Sequence, residues 1–284
     1  MNYIANMLFP KEYINHKYSL IHFNFFLQYA KIARVNVDLV PSNKQVFIGR
    51  DNNLFFSCAI NNKQVIIDYS DHYYSNWKHL FNGIPYFKFQ TTDKSNKSII
   101  PLGPPIVGVK QKRSTGETLR SFFSVKQSFN YTPGNSILCK QLPNGNATER
   151  RIHVQKLLQN NFKITDTSAN DDQLIFWNKH ENCALAVCVP GANNNMIDRG
   201  QMELFGLGVC TVSPTLNTKL PFKKNATENV HYLKCNDDYS NLIEIINKVK
   251  HDTETLKRVG NNAQNLFDEI FTPKRYWQWI LLNI

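Results

Sequence analysis

Glycine and regularly spaced cysteine are both scarce in this chain of 284 residues. There is no CxxC pair and no spacing typical of a disulfide framework, so the six cysteines are predicted to be buried free thiols of a reducing compartment. No apolar run approaches membrane-spanning length, and the first residues lack the basic and hydrophobic segments of a signal peptide. We therefore expect a soluble, cytoplasmic protein without a membrane span.

Three catalytic motifs are missing as well. The sequence contains no G-x-S-x-G, no G-x-x-x-x-G-K-[ST] and no H-E-x-x-H, which excludes the simplest hydrolase, P-loop and zinc-protease interpretations. The Asp and His residues of segment 68–79 lack a third and fourth partner at a recognisable metal-binding spacing. No metal site is predicted from the sequence.

Positive charge, in contrast, is abundant. The formal net charge is +11 and the isoelectric point is near 9.3, with the lysines and arginines spread along the chain. An apolar share of 42% excludes a mostly disordered protein. These properties favour an anionic partner, and at this point a nucleotide, an anionic glycan and nucleic acid all fit.

The apolar pattern changes character along the chain. The first half is predicted to hold a buried helix over 18–35, a hairpin or two adjacent strands around Asn61 and Asn62, and a strand over 85–90. Segment 130–136 interrupts the pattern and predicts a linker. Beyond it, alternating strands and helices indicate a parallel sheet covered on both faces, and hence an α/β fold. The predicted strands are 137–140, 162–165, 183–189, 209–213 and 230–235, and the predicted helices are 148–160, 171–180, 196–206 and 238–268.

Four glycines lie close together in segment 190–208. This segment reads PGANNNMIDRGQMELFGLG and follows an apolar run that predicts a buried strand. The loop from Gly191 to Asn195 and the first N–H groups of the next helix would then lie beyond the carboxyl end of the strand. Such a position favours an anion, and a phosphate would suit it. The four glycines are Gly191, Gly200, Gly206 and Gly208.

Two features of the second half resemble a known fold. A VPG loop followed by Arg, Glu and a closing G-x-x-V strand is similar to the donor-sugar domain of GT-B glycosyltransferases, and segment 233–280 resembles the closing helices of that fold. The segments IIDYSDHYY and CVPGANNNMIDRGQMELFGLG resemble, more narrowly, the small exostosin-related transferases of chloroviruses, of the β-xylosyltransferase type. The resemblance implies two Rossmann-like domains facing a central cleft, with a compressed N-terminal domain. Its bounds would be 1–132 for acceptor binding, 133–270 for donor binding and 271–284 for a helix returning to the first domain.

The resemblance also implies an activity. A glycosyltransferase of this kind moves a sugar, with xylose preferred, from a UDP-sugar to a hydroxyl of an oligosaccharide or glycoprotein glycan, and the expected stereochemistry is inverting. Neither a cofactor nor a metal is expected, and nucleic acid is not an expected partner. Asp171, Asp172, Asp237 and Asp238 fit better as helix caps than as metal ligands. The alternative is a non-catalytic basic protein that binds nucleic acid or an anionic polymer.

Arg199 and Glu203 share one helix face because they are four residues apart. They form either a solvated surface pair or a donor site in which Arg199 meets the diphosphate and Glu203 accepts hydrogen bonds from the ribose. The loop before them adds Gly191 and the three asparagines over 193–195 to the predicted donor site. Those asparagines, Asn193, Asn194 and Asn195, suit helix caps and ligands alike.

Three cations follow the first predicted strand of the second half. Lys140 ends that strand, and Arg150 and Arg151 fall in the first turn of the next helix, where cations oppose the helix dipole. This local misfit predicts that all three bind the donor, while plain solvent exposure of the arginines is the alternative.

Segment 68–79, DYSDHYYSNWKH, combines carboxylates, histidines and aromatics and is predicted to bind the acceptor. Aromatic faces stack on sugar rings, although core packing also consumes such side chains. Asp71 is predicted to be the general base, with helix or turn capping as the alternative role, whereas Asp68 is expected to be occupied by backbone hydrogen bonds. The remaining predicted acceptor residues are His72, Tyr73, Tyr74 and Trp77, with His72 the second candidate for the base.

Overall fold

A computed structural model of the chain describes ten stretches of the sequence. They are residues 4–11, 20–41, 55–69, 83–92, 95, 97–104, 115–143, 145–168, 172–191 and 195–284. The chain has a mixed α/β architecture with two sheets, and it divides into two compact units. The first unit consists of Met1–Val107, Lys219–Lys224 and Ile270–Ile284, and the second of Gly108–Thr218 and Asn225–Glu269.

The first unit is built on a mixed six-stranded sheet. Its order is β2-β1-β3-β4-β5-β6, in which β3 runs antiparallel to both of its neighbours and the other pairs are parallel. The strands are β1 Asn6–Pro10, β2 Asn36–Val40, β3 Phe55–Ile60, β4 Lys63–Asp68, β5 Tyr86–Lys88 and β6 Ile99–Pro101.

The hairpin alternative predicted for the first half is confirmed. β3 and β4 pair in antiparallel register from Phe55 opposite Asp68 to Ile60 opposite Lys63. The two turn residues, Asn61 and Asn62, both have positive φ, at 47° and 64°, which asparagine tolerates better than most residues.

An aromatic core joins two helices of the first unit. These are α1, Leu20–Ile32, and α8, Pro273–Leu282. Phe26 packs on Trp277 with ring centroids 5.1 Å apart, and the Tyr29 hydroxyl donates to the backbone oxygen of Phe271 at 2.7 Å. Each of these four side chains is buried, so burial of large aromatic area ties the end of the chain to its beginning.

The second unit contains a five-stranded sheet in which every pair is parallel, as the alternating pattern predicted. Its order is β11-β10-β9-β7-β8. All five residues of the central strand β9 are buried, which accounts for its unbroken apolar sequence. The strands are β7 Ser136–Leu138, β8 Thr165–Asp166, β9 Cys183–Val187, β10 Thr211–Ser213 and β11 Leu233–Lys234. The helices are α2 Thr115–Ser128, α3 Thr148–Asn161, α4 Gln173–Lys179, α5 Arg199–Gly206, α6 Leu242–Val249 and α7 Thr253–Ile270.

The second unit begins earlier in the chain than the boundary predicted at 132/133. Helix α2 belongs to it, because Phe122 packs on Trp177 at 5.2 Å and on Phe267 at 5.8 Å. The segment read as a linker is bonded into the same unit. Thr132 N donates to the backbone oxygen of Glu181 at 2.9 Å, in the turn before β9, so this segment is hydrogen-bonded within the second unit.

None of the helices that the structure describes is both long and apolar enough to cross a lipid bilayer.

Candidate functional site at the carboxyl edge of the parallel sheet

The strand order of the second unit reverses between β7 and β9. From β7 the chain moves outward to β8, and it then returns to β9, β10 and β11 on the other side. Loops that leave the carboxyl ends of β7 and β9 therefore diverge, and in open parallel sheets ligands bind in the crevice outside such a switch point. We call these strand ends and the loops that follow them the carboxyl edge.

Arg151 joins the two loops at this switch point. From the first turn of α3, its Nε donates to Val189 O at 3.1 Å, after β9, and its Nη1 donates to Leu142 O at 2.7 Å, after β7. Its Nη2 lies 3.6 Å from Asp198 Oδ2, and the Arg151 side chain is 10% exposed. Arg151 is therefore buried rather than solvated, and its hydrogen bonds fix the two loops relative to each other.

Within the described residues, Arg150 binds the loop after β9 through only one of its three guanidinium nitrogens. Its Nη2 donates to Pro190 O at 2.8 Å and to Gly191 O at 2.7 Å. Its Nε is buried without a hydrogen-bond acceptor, and among the described residues none accepts from its Nη1. Since a guanidinium carries five N–H donors, this half-buried cation retains capacity for an anionic ligand at the carboxyl edge.

Lys140, in contrast, is occupied by its neighbours on the sheet. Its Nζ donates to Asp166 Oδ2 at 2.9 Å and to Ser168 Oγ at 2.8 Å, and its side chain is 1% exposed. Although partial burial opposes ionisation of Asp166, hydrogen bonds from Lys140 and Ser168 hold the pKa of that carboxyl below its ordinary value. Lys140 thus forms an ion pair that links the ends of β7 and β8.

Asp198 is a component of the carboxyl edge that the sequence reasoning missed. It is the N-cap of α5, and its Oδ1 accepts from Gln201 N at 2.8 Å. Its Oδ2 accepts from Gln141 Nε2 and faces Arg151, so one carboxylate connects the start of α5 to both loops at the switch point. The signal was present, because Asp three residues before Gln is a capping-box spacing.

Arg199 and Glu203 occupy different environments, although they share a helix face. Arg199 is the first residue of α5 and is half-exposed at the carboxyl edge. Glu203 is buried, and its Oε2 accepts from Trp177 Nε1 at 2.9 Å and from Gln173 Nε2. The solvated-pair alternative is therefore wrong for Glu203, and its donor Trp177 is a fully buried core residue.

The buried Glu203 carboxyl is electrostatically unusual. Burial raises its pKa to about 8, while the hydrogen bond from Trp177 and the charge of Arg199 act in the opposite direction. Glu203 belongs to α5, and both of its hydrogen-bond donors, Gln173 and Trp177, belong to α4. These bonds therefore orient the two helices relative to each other.

Asn195 connects three loops of the carboxyl edge. Its Nδ2 donates to Thr215 O at 2.9 Å, after β10, and to Asp237 Oδ2 at 3.2 Å, after β11. Asp237 Oδ1 also accepts from Thr215 N at 3.3 Å. Asn195 therefore orders the loops around the edge and is not the N-cap of α5. The neighbouring predicted residues, Asn193 and Asn194, lie outside the described residues.

Tyr239 is a second residue that sequence reasoning missed. It follows β11, is buried, and adopts a left-handed backbone with φ of 64°, which is rare for a bulky side chain. Burial and Cys235 raise the pKa of its phenol, while the charge of Arg150 lowers it. The phenol thus lies close enough to Arg150 to interact with it electrostatically.

Asp68, predicted to bind the acceptor, lies in a buried ion pair of the first unit. Its Oδ2 accepts from Lys88 Nζ at 2.9 Å and from the Tyr86 hydroxyl at 2.6 Å, and the Lys88 side chain is fully buried. These two bonds come from side chains of the adjacent strand β5, a contact that the sequence reasoning did not predict. The other predicted acceptor residues, Asp71, His72, Tyr73, Tyr74 and Trp77, lie outside the described residues.

The paired aspartates are only partly explained by helix capping. Asp172 is the N-cap of α4 and accepts from Leu174 N at 3.1 Å, as predicted. Asp238 accepts from Ser240 N at 3.0 Å and so stabilises a turn before α6, not the helix end itself. Asp171 lies outside the described residues.

Chemically, the carboxyl edge combines cations, helix starts and backbone donors, an arrangement suited to an anion such as a diphosphate. Within the described ranges, no three His, Cys, Asp or Glu side chains are grouped so as to hold a metal ion.

Comparison with known proteins finds neither a family model nor a curated protein that matches the chain.

Proposed function

We propose that the chain is a GT-B-type glycosyltransferase that binds a nucleoside diphosphate sugar at the carboxyl edge of the second unit. The observation that carries this proposal is the placement of the cations Arg150, Arg151 and Arg199 at a strand-order reversal of a parallel sheet, where α/β folds bind nucleotides. The sugar is transferred to a glycan hydroxyl by direct displacement, and UDP-xylose is the preferred donor through the resemblance alone.

Within this proposal Arg150 is the principal phosphate ligand. Arg151 and Lys140 donate to carbonyl and carboxylate oxygens of the second unit. Arg150 also donates to two carbonyls, but among the described residues none accepts from its Nε or Nη1. Positive charge at this position stabilises the departing diphosphate as the bond to the anomeric carbon breaks. Arg199 adds charge from the start of α5, and Glu203 contributes indirectly by holding α5 against α4.

A thermal-shift titration tests donor binding. UDP and UDP-sugars should raise the melting temperature of the wild-type protein, because a ligand that binds only the native state stabilises it. Arg150→Ala should weaken donor affinity by about tenfold or more, since a charge-assisted hydrogen bond is lost. Lys156→Ala is the matched control, as Lys156 is an exposed cation of the same helix.

Two results would count against the proposed donor site. Equal donor affinity in Arg150→Ala and wild type would remove Arg150 as the phosphate ligand. Stabilisation by oligonucleotides alone, lost at raised salt, would favour a non-catalytic nucleic-acid or polyanion binder.

The proposal retains Asp71 as the general base. An ordinary aspartate is ionised at neutral pH and accepts the proton as the attacking hydroxyl forms its new bond, so no unusual pKa is needed. Asp71→Asn preserves size and hydrogen-bond acceptance. It should bind the donor normally and transfer the sugar about a hundredfold more slowly in a radiolabelled-donor assay. Near-normal turnover of this variant would exclude Asp71 and leave His72 and Asp68 to be tested in the same way.

A further inference from the structure

Residues Lys219–Lys224 form a loop of the first unit. In the sequence this loop lies between two parts of the second unit, and its backbone is strained. Phe222 and Lys223 are consecutive residues with φ of 57° and 58°, the left-handed region that favours glycine. The loop closes on itself, because Leu220 N donates to Lys224 O at 3.1 Å. An outlying backbone of this kind is a reason to ask what its side chains do.

The strained loop packs on α8 through its phenylalanine. The Phe222 ring lies 5.1 Å from the Trp279 ring, and the Arg275 guanidinium carbon lies 4.3 Å from the centre of the Phe222 ring. Arg275 Nη1 also donates to Gln278 Oε1 at 2.7 Å. Phe222 thus contacts both Arg275 and Trp279, and all three side chains remain half-exposed to solvent.

Cations and apolar groups surround this stack. Lys223, Lys224 and Lys274 are exposed, and segments 219–224 and 270–284 contain no acidic residue. Within the described part of the chain, no carboxylate pairs with Lys223 or Lys274. Leu282 is 66% exposed and lies on the same helix face as Trp279, three residues earlier. We call these residues the Phe222 surface: Phe222, Lys223, Lys224, Lys274, Arg275, Trp279 and Leu282.

We propose that the Phe222 surface binds the headgroup region of an anionic phospholipid membrane. Lysine and arginine attract anionic headgroups, while tryptophan, phenylalanine and leucine partition into the interfacial layer. A nucleic acid or acidic glycan would use the charge but leave Leu282 in water. A lipid interface would contact both the cations and the apolar side chains. An anionic membrane is therefore the partner that fits the whole Phe222 surface.

The contact is peripheral, since α8 has only ten residues and packs on α1 within the first unit. It goes beyond the proposed transfer reaction and uses none of the residues assigned to it. A failed membrane test would therefore leave the donor site untouched.

Vesicle co-sedimentation with the full chain tests this surface. The wild-type protein should bind vesicles that contain phosphatidylserine, bind poorly to phosphatidylcholine alone, and dissociate as salt is raised. The double variant Lys223→Glu, Lys274→Glu should lose about tenfold or more of this binding. Its control is Lys156→Glu, Lys248→Glu, which makes the same charge change at exposed lysines of the second unit.

A second variant pair tests the apolar component. Leu282→Asp should weaken vesicle binding severalfold, whereas Ile164→Asp, at a 54% exposed residue of the second unit, should not. Melting curves show whether each variant is folded. Equal binding of all variants, no preference for anionic vesicles, or tighter binding to an oligonucleotide or acidic polysaccharide than to vesicles would each overturn the proposal.

Discussion

The role of Glu203 could be assigned only once its contacts in the folded protein were known. In the sequence it is a polar helix residue four positions after an arginine, and in the structure it is a buried carboxyl bonded to Trp177. Arg150 shows the same effect, because a cation that opposes the helix dipole in a first helical turn donates to two backbone carbonyls of the loop after β9. The chemistry of both residues depends on contacts distant in sequence.

We predict that Glu203 makes stability depend on pH. Its pKa is raised from an ordinary 4.5 to about 8, so between these values the folded protein holds a proton that the unfolded chain has released. The stabilising contribution is fully present below pH 4.5 and is lost as the pH rises through 8. The free energy of unfolding should therefore fall by a few kcal/mol across this window, at about 1.4 kcal/mol per pKa unit.

Urea denaturation of wild type and Glu203→Gln at several pH values measures this contribution. The difference in unfolding free energy between the two proteins isolates residue 203 from other titrating groups. It should move in favour of Glu203→Gln as the pH rises, because glutamine has no charge to bury. A pH-independent difference would show that Glu203 does not titrate in this range.

At the scale of elements, the N-cap residues of two helices in the second unit make different numbers of side-chain contacts. Asp172 caps α4 through one bond to Leu174 N, whereas Asp198 caps α5 and also binds Gln141 beside Arg151. Loss of an N-cap costs about 1 kcal/mol, and each buried polar group left without a partner adds roughly 1 to 3 kcal/mol. The two caps look alike in the sequence and differ in what else they hold.

Asp198→Ala should therefore lower the free energy of unfolding by about 2–4 kcal/mol. Asp172→Ala should lower it by only about 1 kcal/mol. Asp198→Asn retains the cap acceptor and should fall between the two. Chemical denaturation of the three variants measures these values, and equal losses for Asp198→Ala and Asp172→Ala would show that the bonds at the switch point add no stability.

Across the whole molecule, all six cysteines are free and buried, as the sequence predicted. They are distributed over both units, at Cys58 in the first and at the other five positions in the second. Burial raises the pKa of Cys235 to about 12 and shifts the other thiols in the same direction. Little reactive thiolate is therefore expected in the native protein.

Native protein should react with a thiol reagent such as 5,5′-dithiobis(2-nitrobenzoate) slower by on the order of a thousandfold or more than the unfolded chain. In denaturant all six thiols should react, because unfolding removes the burial that protects them. Absorbance at the reagent's release band follows both reactions. Rapid labelling of any thiol in the native protein would contradict its burial.

Local patterns were sufficient for the elements of the second unit. The unbroken apolar run at β9 and the alternation of strands and helices predicted a parallel sheet, since a strand covered on both faces has no polar side. In the first unit, the Asn61–Asn62 pair predicted either a hairpin or two adjacent strands, and the hairpin forms because asparagine tolerates the left-handed turn. The domain boundary could not be predicted in the same way from segment 130–136. Proline and glycine interrupt regular secondary structure whether a segment links two units or stays hydrogen-bonded within one.

The sequence by itself thus determined most elements of the second unit, the buried thiols and the placement of cations after particular strands, because these follow from side-chain periodicity and short-range backbone preferences. Strands β1 and β2 of the first unit were not predicted. Only the tertiary structure decided which cations are already paired, which carboxyl is buried, and where helices approach closely. Gly260 illustrates the reason. A glycine inside a helix weakens it, yet here a side chain would collide with the backbone oxygen of Gly208, some fifty residues earlier. Contacts between distant segments have no signature within a local window of sequence.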